Sequence, residues 1–370
     1  MGMVKNSEII FDSTKMEDVG AAKKSPLPGY YFPLIITVVL AEAVILGLIL
    51  FDIVPIHTFE VYTFALYAPY VSSSDVTRVA VIVTKWFFFL LTAGVLIPTT
   101  LIIMMEVARR LLTHRRVEVN SWDDEFGWLE KLDRKPAVPD AAERVEGGYI
   151  KRFNIHARIQ HYALFISFII LAVTGMLRGF PNWPTFQWFT TIFGGPDVLR
   201  LVHDVAAFVM ITDCIYHLGY IAYQYFVKHR FPSAMMPRWK DLKDIIHTML
   251  WIFGIYKKEP EYDHFQYGQK IDYWAIFWGM PVMVITGIIM MFPAFFSQWV
   301  DGHWFAVVAT AHRDEAVLAT GFILIVHMYY GHLQTTAFPV NTVMFTGRML
   351  KSKYRQWFGR EYAQITGEKE

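Results

Sequence analysis

The sequence has 370 residues, of which 54% are hydrophobic and 16% aromatic, with 34 Lys and Arg against 33 Asp and Glu for a net charge of +1. That balance is too apolar for an ordinary soluble domain of this length and points to a membrane protein, with no reason to expect a nucleic-acid partner. A single cysteine, Cys214, excludes an internal disulfide, a covalently attached haem and a four-cysteine iron–sulfur centre, so any redox group must be held by other ligands.

Residues 1–29 are polar, without an apolar core or small-residue cleavage site, and read as a cytoplasmic segment. A bilayer core about 30 Å thick needs roughly 20 mostly apolar residues per helix. Six stretches qualify, at about 31–52, 79–106, 155–177, 198–227, 272–292 and 311–336. The fold class is therefore all-α transmembrane: a two-helix hairpin (30–106), a charged cytoplasmic linker (107–152), a four-helix bundle (153–340) and a cytoplasmic tail (341–370). Between helices four and five, Leu242, Ile245, Ile246, Met249, Leu250 and Phe253 recur at helical spacing, as in a helix lying on the membrane face. Lys and Arg concentrate after helices two, four and six, which places both termini and the two long loops in the cytoplasm of a bacterial inner-membrane protein. Glu42 and Lys85 are intramembrane charges, read as a mutual pair, a proton route or, for Lys85, a side chain reaching the interface.

Ionisable residues inside membrane helices are costly and mark function by default. Five histidines qualify: His161 on helix three, His203 and His217 on helix four, His312 and His327 on helix six. Fourteen residues separate His203 from His217 and fifteen separate His312 from His327, about 21 Å of helix rise, so each helix carries one histidine near each membrane face. His161 stands near the cytoplasmic start of its helix. The result is two histidine layers, the arrangement that haem iron with two axial imidazoles from facing helices would use. His57, His114, His229, His247, His264 and His303 fall in loops or at interfaces, whereas His156 and His332, close to helix ends, are placed to contact haem propionates or quinone.

Several segments between residues 150 and 340 carry a family resemblance. They are Arg158-Ile-Gln-His161 entering a helix that ends in Thr174-Gly175; Phe180-Pro181 through Phe186-Gln-Trp188 to Phe193-Gly-Gly-Pro196; Arg200-Leu-Val-His203; Tyr267-Gly-Gln-Lys270 followed by Trp274 and Thr286-Gly287; and Val326-His-Met-Tyr329. This region resembles the cytochrome b (gamma) subunits of respiratory formate dehydrogenase and membrane-bound hydrogenase. The resemblance implies a four-helix bundle with two b haems, His203 and His312 binding the periplasmic haem and His161 and His327 the cytoplasmic one. It also implies a quinone site, for menaquinone or ubiquinone, at Gln266, Gly268 and Gln269. His217 is extra to the family pattern: it replaces His161 at the inner haem or serves a third haem. The pair His312 and His327 stands one residue further apart than the family spacing.

The resulting expectation is a b-type cytochrome subunit that passes electrons between a periplasmic partner, either an iron–sulfur or catalytic redox subunit or a multihaem cytochrome c, and the quinone pool. The alternative from another class is a transporter or channel with histidines along a proton or metal path, which broken mid-membrane helices would favour. A purely structural anchor would show no visible absorption.

Overall fold

The computed structural model describes residues 75–113, 119–120, 144–231, 233–256, 259–260, 262–334 and 341–367, together with Ala43 and Gly47. The first predicted span, with Glu42, otherwise lies outside the described residues.

Helix α1 (Asp75–Thr113) runs one turn or more beyond its predicted span at both ends. Toward its carboxy-terminal end Arg110 reaches Glu106 at 3.0 Å and Glu259 at 2.8 Å, so paired charges carry the helix past the apolar stretch. Lys85 is buried, at 4% exposure. After the short strand β1 (Val119–Asn120), strands β2 (Val145–Glu146) and β3 (Tyr149–Lys151) form an antiparallel hairpin. Helix α2 (Ile155–Gly179) starts where the Asn154 side chain accepts a hydrogen bond from the Ala157 amide at 2.9 Å. The Pro- and Gly-rich stretch that follows holds one short helix, α3 (Pro184–Ile192). Helix α4 (Pro196–Phe226) begins after Gly195, whose φ of 93° suits glycine, with proline at its first position.

The predicted interfacial helix is α5 (Trp239–Ile252), and it leads through β4 (Glu259–Pro260), paired in parallel with β1, into α6 (Tyr267–Met291). A single-turn helix, α7 (Pro293–Phe296), turns the chain into α8 (Gly302–Phe322). That helix continues as a π-helix over Ile323–Leu333. The residues after 340 fold as well: α9 (Val343–Thr346), β5 (Arg348–Leu350), α10 (Lys351–Trp357) and α11 (Gly359–Thr366), with β5 pairing antiparallel to β3. The segment read as a tail is thus joined to the linker by a sheet.

Four helices among the described residues are long and apolar enough to cross a membrane: Thr77–Arg110, Ile155–Gly179, Tyr267–Met291 and Trp304–Leu333. Helix α4 is comparable in length at 31 residues but is interrupted by Arg200, Asp204 and Asp213. It packs along α2, while α8 packs against both α1 and α6. Large side chains such as Leu201, Phe208 and Ile285 are exposed on the outer surface, as lipid-facing residues of a membrane bundle are. The protein is a helical membrane bundle capped at one end by the small sheets and by α5, α10 and α11.

Candidate functional site

Between α2, α4, α6 and α8 lies a continuous, mainly apolar cavity of about 2220 Å³. An ordinary small-molecule pocket holds about 300 to 1,000 Å³, so this space suits a large group or more than one. All five histidines singled out from the sequence line it.

Toward the end where α2 closes and α4 opens, His203 and His312 face each other with ring centres 6.4 Å apart. The Thr174 hydroxyl lies 2.8 Å from Nδ1 of His203, and the Thr286 hydroxyl lies 2.9 Å from Nδ1 of His312. Each threonine already donates its only hydroxyl proton to the backbone one turn back, at Ile170 (2.6 Å) and Val282 (2.5 Å). Each oxygen can then only accept from the imidazole. Nδ1 therefore carries the proton in both rings, and Nε2 presents a lone pair. The glycines that follow the threonines leave room for the rings: a Cβ on Gly175 would stand 3.4 Å from Cε1 of His203, and one on Gly287 3.2 Å from Cε1 of His312. Arg178 lines the cavity beside this pair and acts electrostatically on both rings.

At the other end, His161 and His327 stand with ring centres 6.1 Å apart. Nδ1 of His327 lies 3.4 Å from the Asp272 carboxylate, a backing of the kind that fixes the tautomer of a metal-bound histidine. His332 completes a group of three, its ring 5.9 Å from His161 and 5.2 Å from His327, with one nitrogen of each residue within 4.8 Å of the others. The π-helix accounts for the longer spacing on α8. Fifteen residues of ideal α-helix leave two side chains about 60° out of register, and a wider π turn takes up that excess.

His217 is differently engaged, with Nδ1 2.7 Å from Oε1 of Gln160 and Nε2 3.0 Å from the Tyr273 hydroxyl. Of the three residues assigned to a quinone turn, Gln266 is buried at the amino terminus of α6, where its backbone amide donates a 3.3 Å hydrogen bond to Oε1 of Gln269. Gly268 lies beneath Tyr330, since a Cβ there would stand 2.7 Å from the ring. Only Gln269 of the three lines the cavity.

The two facing pairs can be tested against haem. An iron bound to two imidazole nitrogens at about 2 Å each, with about 1.1 Å from nitrogen to ring centre, sets the ring centres roughly 6 to 6.5 Å apart. Both pairs meet this requirement. Nε2 is free at the first, both donor sets are imidazoles, and the cavity between them is large and apolar. A helical membrane bundle with facing histidines across such a cavity has the build of a membrane b-type cytochrome.

The comparisons with known proteins agree. The family model for prokaryotic cytochrome b561 matches residues 152–347, and the chain belongs to that family, which includes cytochrome b subunits of formate dehydrogenase. Similar proteins include the cytochrome b556 subunit of formate dehydrogenase from Haemophilus influenzae, 26% identical over 57% of this chain and 83% of that protein. The nitrate-inducible cytochrome b556(Fdn) subunit of Escherichia coli is 26% identical over 49% and 76%, and its cytochrome b556(fdo) subunit is 23% identical over 60% and 96%. Helix α1 and everything before it lie outside the matched region.

Sequence reasoning identified the histidines but missed their supports. The Thr-Gly dipeptide occurs at the same point of two helices, and that recurrence was the available signal. In the sequence Asp272 marks only the start of a span, and His332 stands apart from the other histidines near a helix end.

Proposed function

We propose that the chain is the electron-transfer subunit of a respiratory complex and binds two b haems, the outer at His203 and His312 and the inner at His161 and His327. The observation that carries this reading is the pair of facing imidazoles, at haem spacing, at each end of one cavity. Haem b, when bound, supplies a one-electron carrier at each position; the protein supplies ligands, a dry cavity and fixed orientation. Thr174 and Thr286 hold the outer ligands in the tautomer that offers Nε2, and Asp272 orients His327. Arg178 is placed to meet the outer haem's carboxylates. At the inner end, Arg152 is buried with one guanidinium nitrogen unpartnered and lines the cavity, so it can serve the inner ones.

The bundle would span the inner membrane with six helices, one of them expected from the sequence outside the described residues, and with the loops after α1 and α4 on the cytoplasmic side. Electrons would pass between a periplasmic redox partner, in the relatives the other subunits of formate dehydrogenase, and the quinone pool. A dithionite-reduced minus oxidised spectrum with a pyridine haemochrome count tests the haem reading. Two haems per chain with a b-type α band are expected. A folded, haem-supplied preparation without that band would return the histidines to the transporter reading.

A further inference from the structure

Beside the inner histidine pair stands a second polar group, built from three helices: Gln160 of α2, His217 of α4 and Tyr273 of α6. An amide oxygen only accepts, so Nδ1 of His217 donates to Gln160 and Nε2 accepts the Tyr273 proton. Both ring nitrogens are then occupied, and His217 has no lone pair to offer iron. What remains is the amide nitrogen of Gln160. Its residue is only 8% exposed, it lines the cavity, and Nε2 has no hydrogen-bond partner. A buried donor facing an otherwise apolar space calls for an acceptor on a ligand. The Tyr273 oxygen, having given up its proton, keeps a lone pair for a hydroxyl donor.

The surroundings suit a flat ring. Phe277 lies 6.3 Å from His217 and 5.1 Å from Tyr273, ring centre to ring centre, and Trp274 lies 5.3 Å from Phe277. Helices α4 and α6 do not pack extensively on each other as α2 and α4 or α6 and α8 do, so the hydrogen bond from Tyr273 to His217 bridges an open seam. Gln160 adjoins His161 in sequence and both line the same cavity, so a ring bound here shares that space with the inner pair. The turn at Gln266 and Gly268 is closed by its own capping bonds and by Tyr330.

We infer that a quinone headgroup binds at Gln160, His217 and Tyr273, its carbonyl accepting from Gln160 and its quinol hydroxyl donating to Tyr273. This rests on the quinone reading proposed above and assigns the site within it.

The test uses the full chain purified with its haem, mixed with menadiol in stopped flow, following haem reduction against menadiol concentration alongside the haem count. Tyr273→Phe and His217→Asn are expected to keep two haems and to raise the half-saturating concentration by about tenfold, the effect of losing one hydrogen bond. Tyr273→Phe removes a single oxygen and keeps the test available if His217→Asn fails to fold. Wild-type saturation in Tyr273→Phe would overturn the assignment, as would loss of one haem in His217→Asn or an effect confined to Gln269→Ala. If menadiol fails to reduce the haem of the wild-type protein, the underlying quinone reading falls with it, an outcome distinct from any variant effect.

Discussion

Thr174 and Thr286 hold the two outer histidines in the same way from opposite sides of the bundle, each oxygen accepting from Nδ1 at 2.8 and 2.9 Å. Both hydroxyl protons are committed to the backbone of their own helix. Valine has the shape of threonine without the oxygen, so Thr174→Val and Thr286→Val should leave the helices intact and free the rings to turn. Partners of this kind are worth about 10- to 100-fold in metal affinity. Each variant is expected to lose outer haem by that factor on dilution in detergent while the inner haem stays, as read by haemochrome titration. Unchanged retention in both would show that the threonines do not position the ligands.

The neighbouring glycines make a steric prediction. A Cβ on Gly287 would stand 3.2 Å from Cε1 of His312, closer than ordinary contact, and valine adds two methyl groups beyond it. Gly287→Val should displace His312 and reduce the haem count from two to one per chain. If Gly287→Val keeps both haems with an unchanged spectrum, His312 does not need its present position to act as a ligand.

On the proposed reading, the grouped imidazoles of His161, His327 and His332 offer three ligands where the second haem would take two. His327 is the one backed by a carboxylate, Asp272 at 3.4 Å, which favours it over His332. His327→Ala should therefore remove the inner haem and His332→Ala should keep it. The opposite pattern, measured by haem count and low-temperature difference spectra, would make His332 the ligand.

Much of this was legible in the sequence for a physical reason: apolar runs of bilayer length and histidines at matched depths are local signals. The bundle helices fell within a few residues of their expected bounds, apart from α8, which starts at Gly302, nine residues before the predicted 311. The fifteen-residue spacing between His312 and His327 even hinted at irregular winding, which the π-helix at Ile323–Leu333 supplies. What could not be read depends on distant partners. Strand β5 is three residues long and exists because β3, nearly two hundred residues earlier, pairs with it. The approach of Tyr330 to Gly268 is of the same kind, since a single sequence does not show which side chain comes close to a glycine. His217 matched the inner layer in depth, but its side chain meets Gln160 and Tyr273 rather than another histidine.

The cap formed by residues 341–367 carries a pH dependence of its own. His264 Nδ1 lies 2.7 Å from the Glu361 carboxylate, Arg144 reaches the same carboxylate at 2.6 Å, and the Tyr354 hydroxyl donates to it. Burial pushes His264 down to about 4 against the opposing attraction of Glu361. Burial works to raise Glu361, but His264, Arg144 and Tyr354 outweigh it and hold the carboxyl well below the usual range. At neutral pH the histidine is thus neutral and donates to a carboxylate. An unfolded histidine titrates near 6.5, so between about pH 6.5 and 4 the unfolded segment binds more protons than the folded one and stability falls as pH drops. The ceiling is about 3 kcal/mol for a shift of that size. Glu361 adds its own loss only at lower pH, as its depressed pKa is approached. Hydrogen exchange of residues 341–367, corrected for its intrinsic pH dependence, should show protection falling from pH 7 to pH 5, and His264→Asn should flatten that slope. Equal corrected protection at both pH values in the wild-type chain would mean that the cap does not depend on keeping His264 neutral.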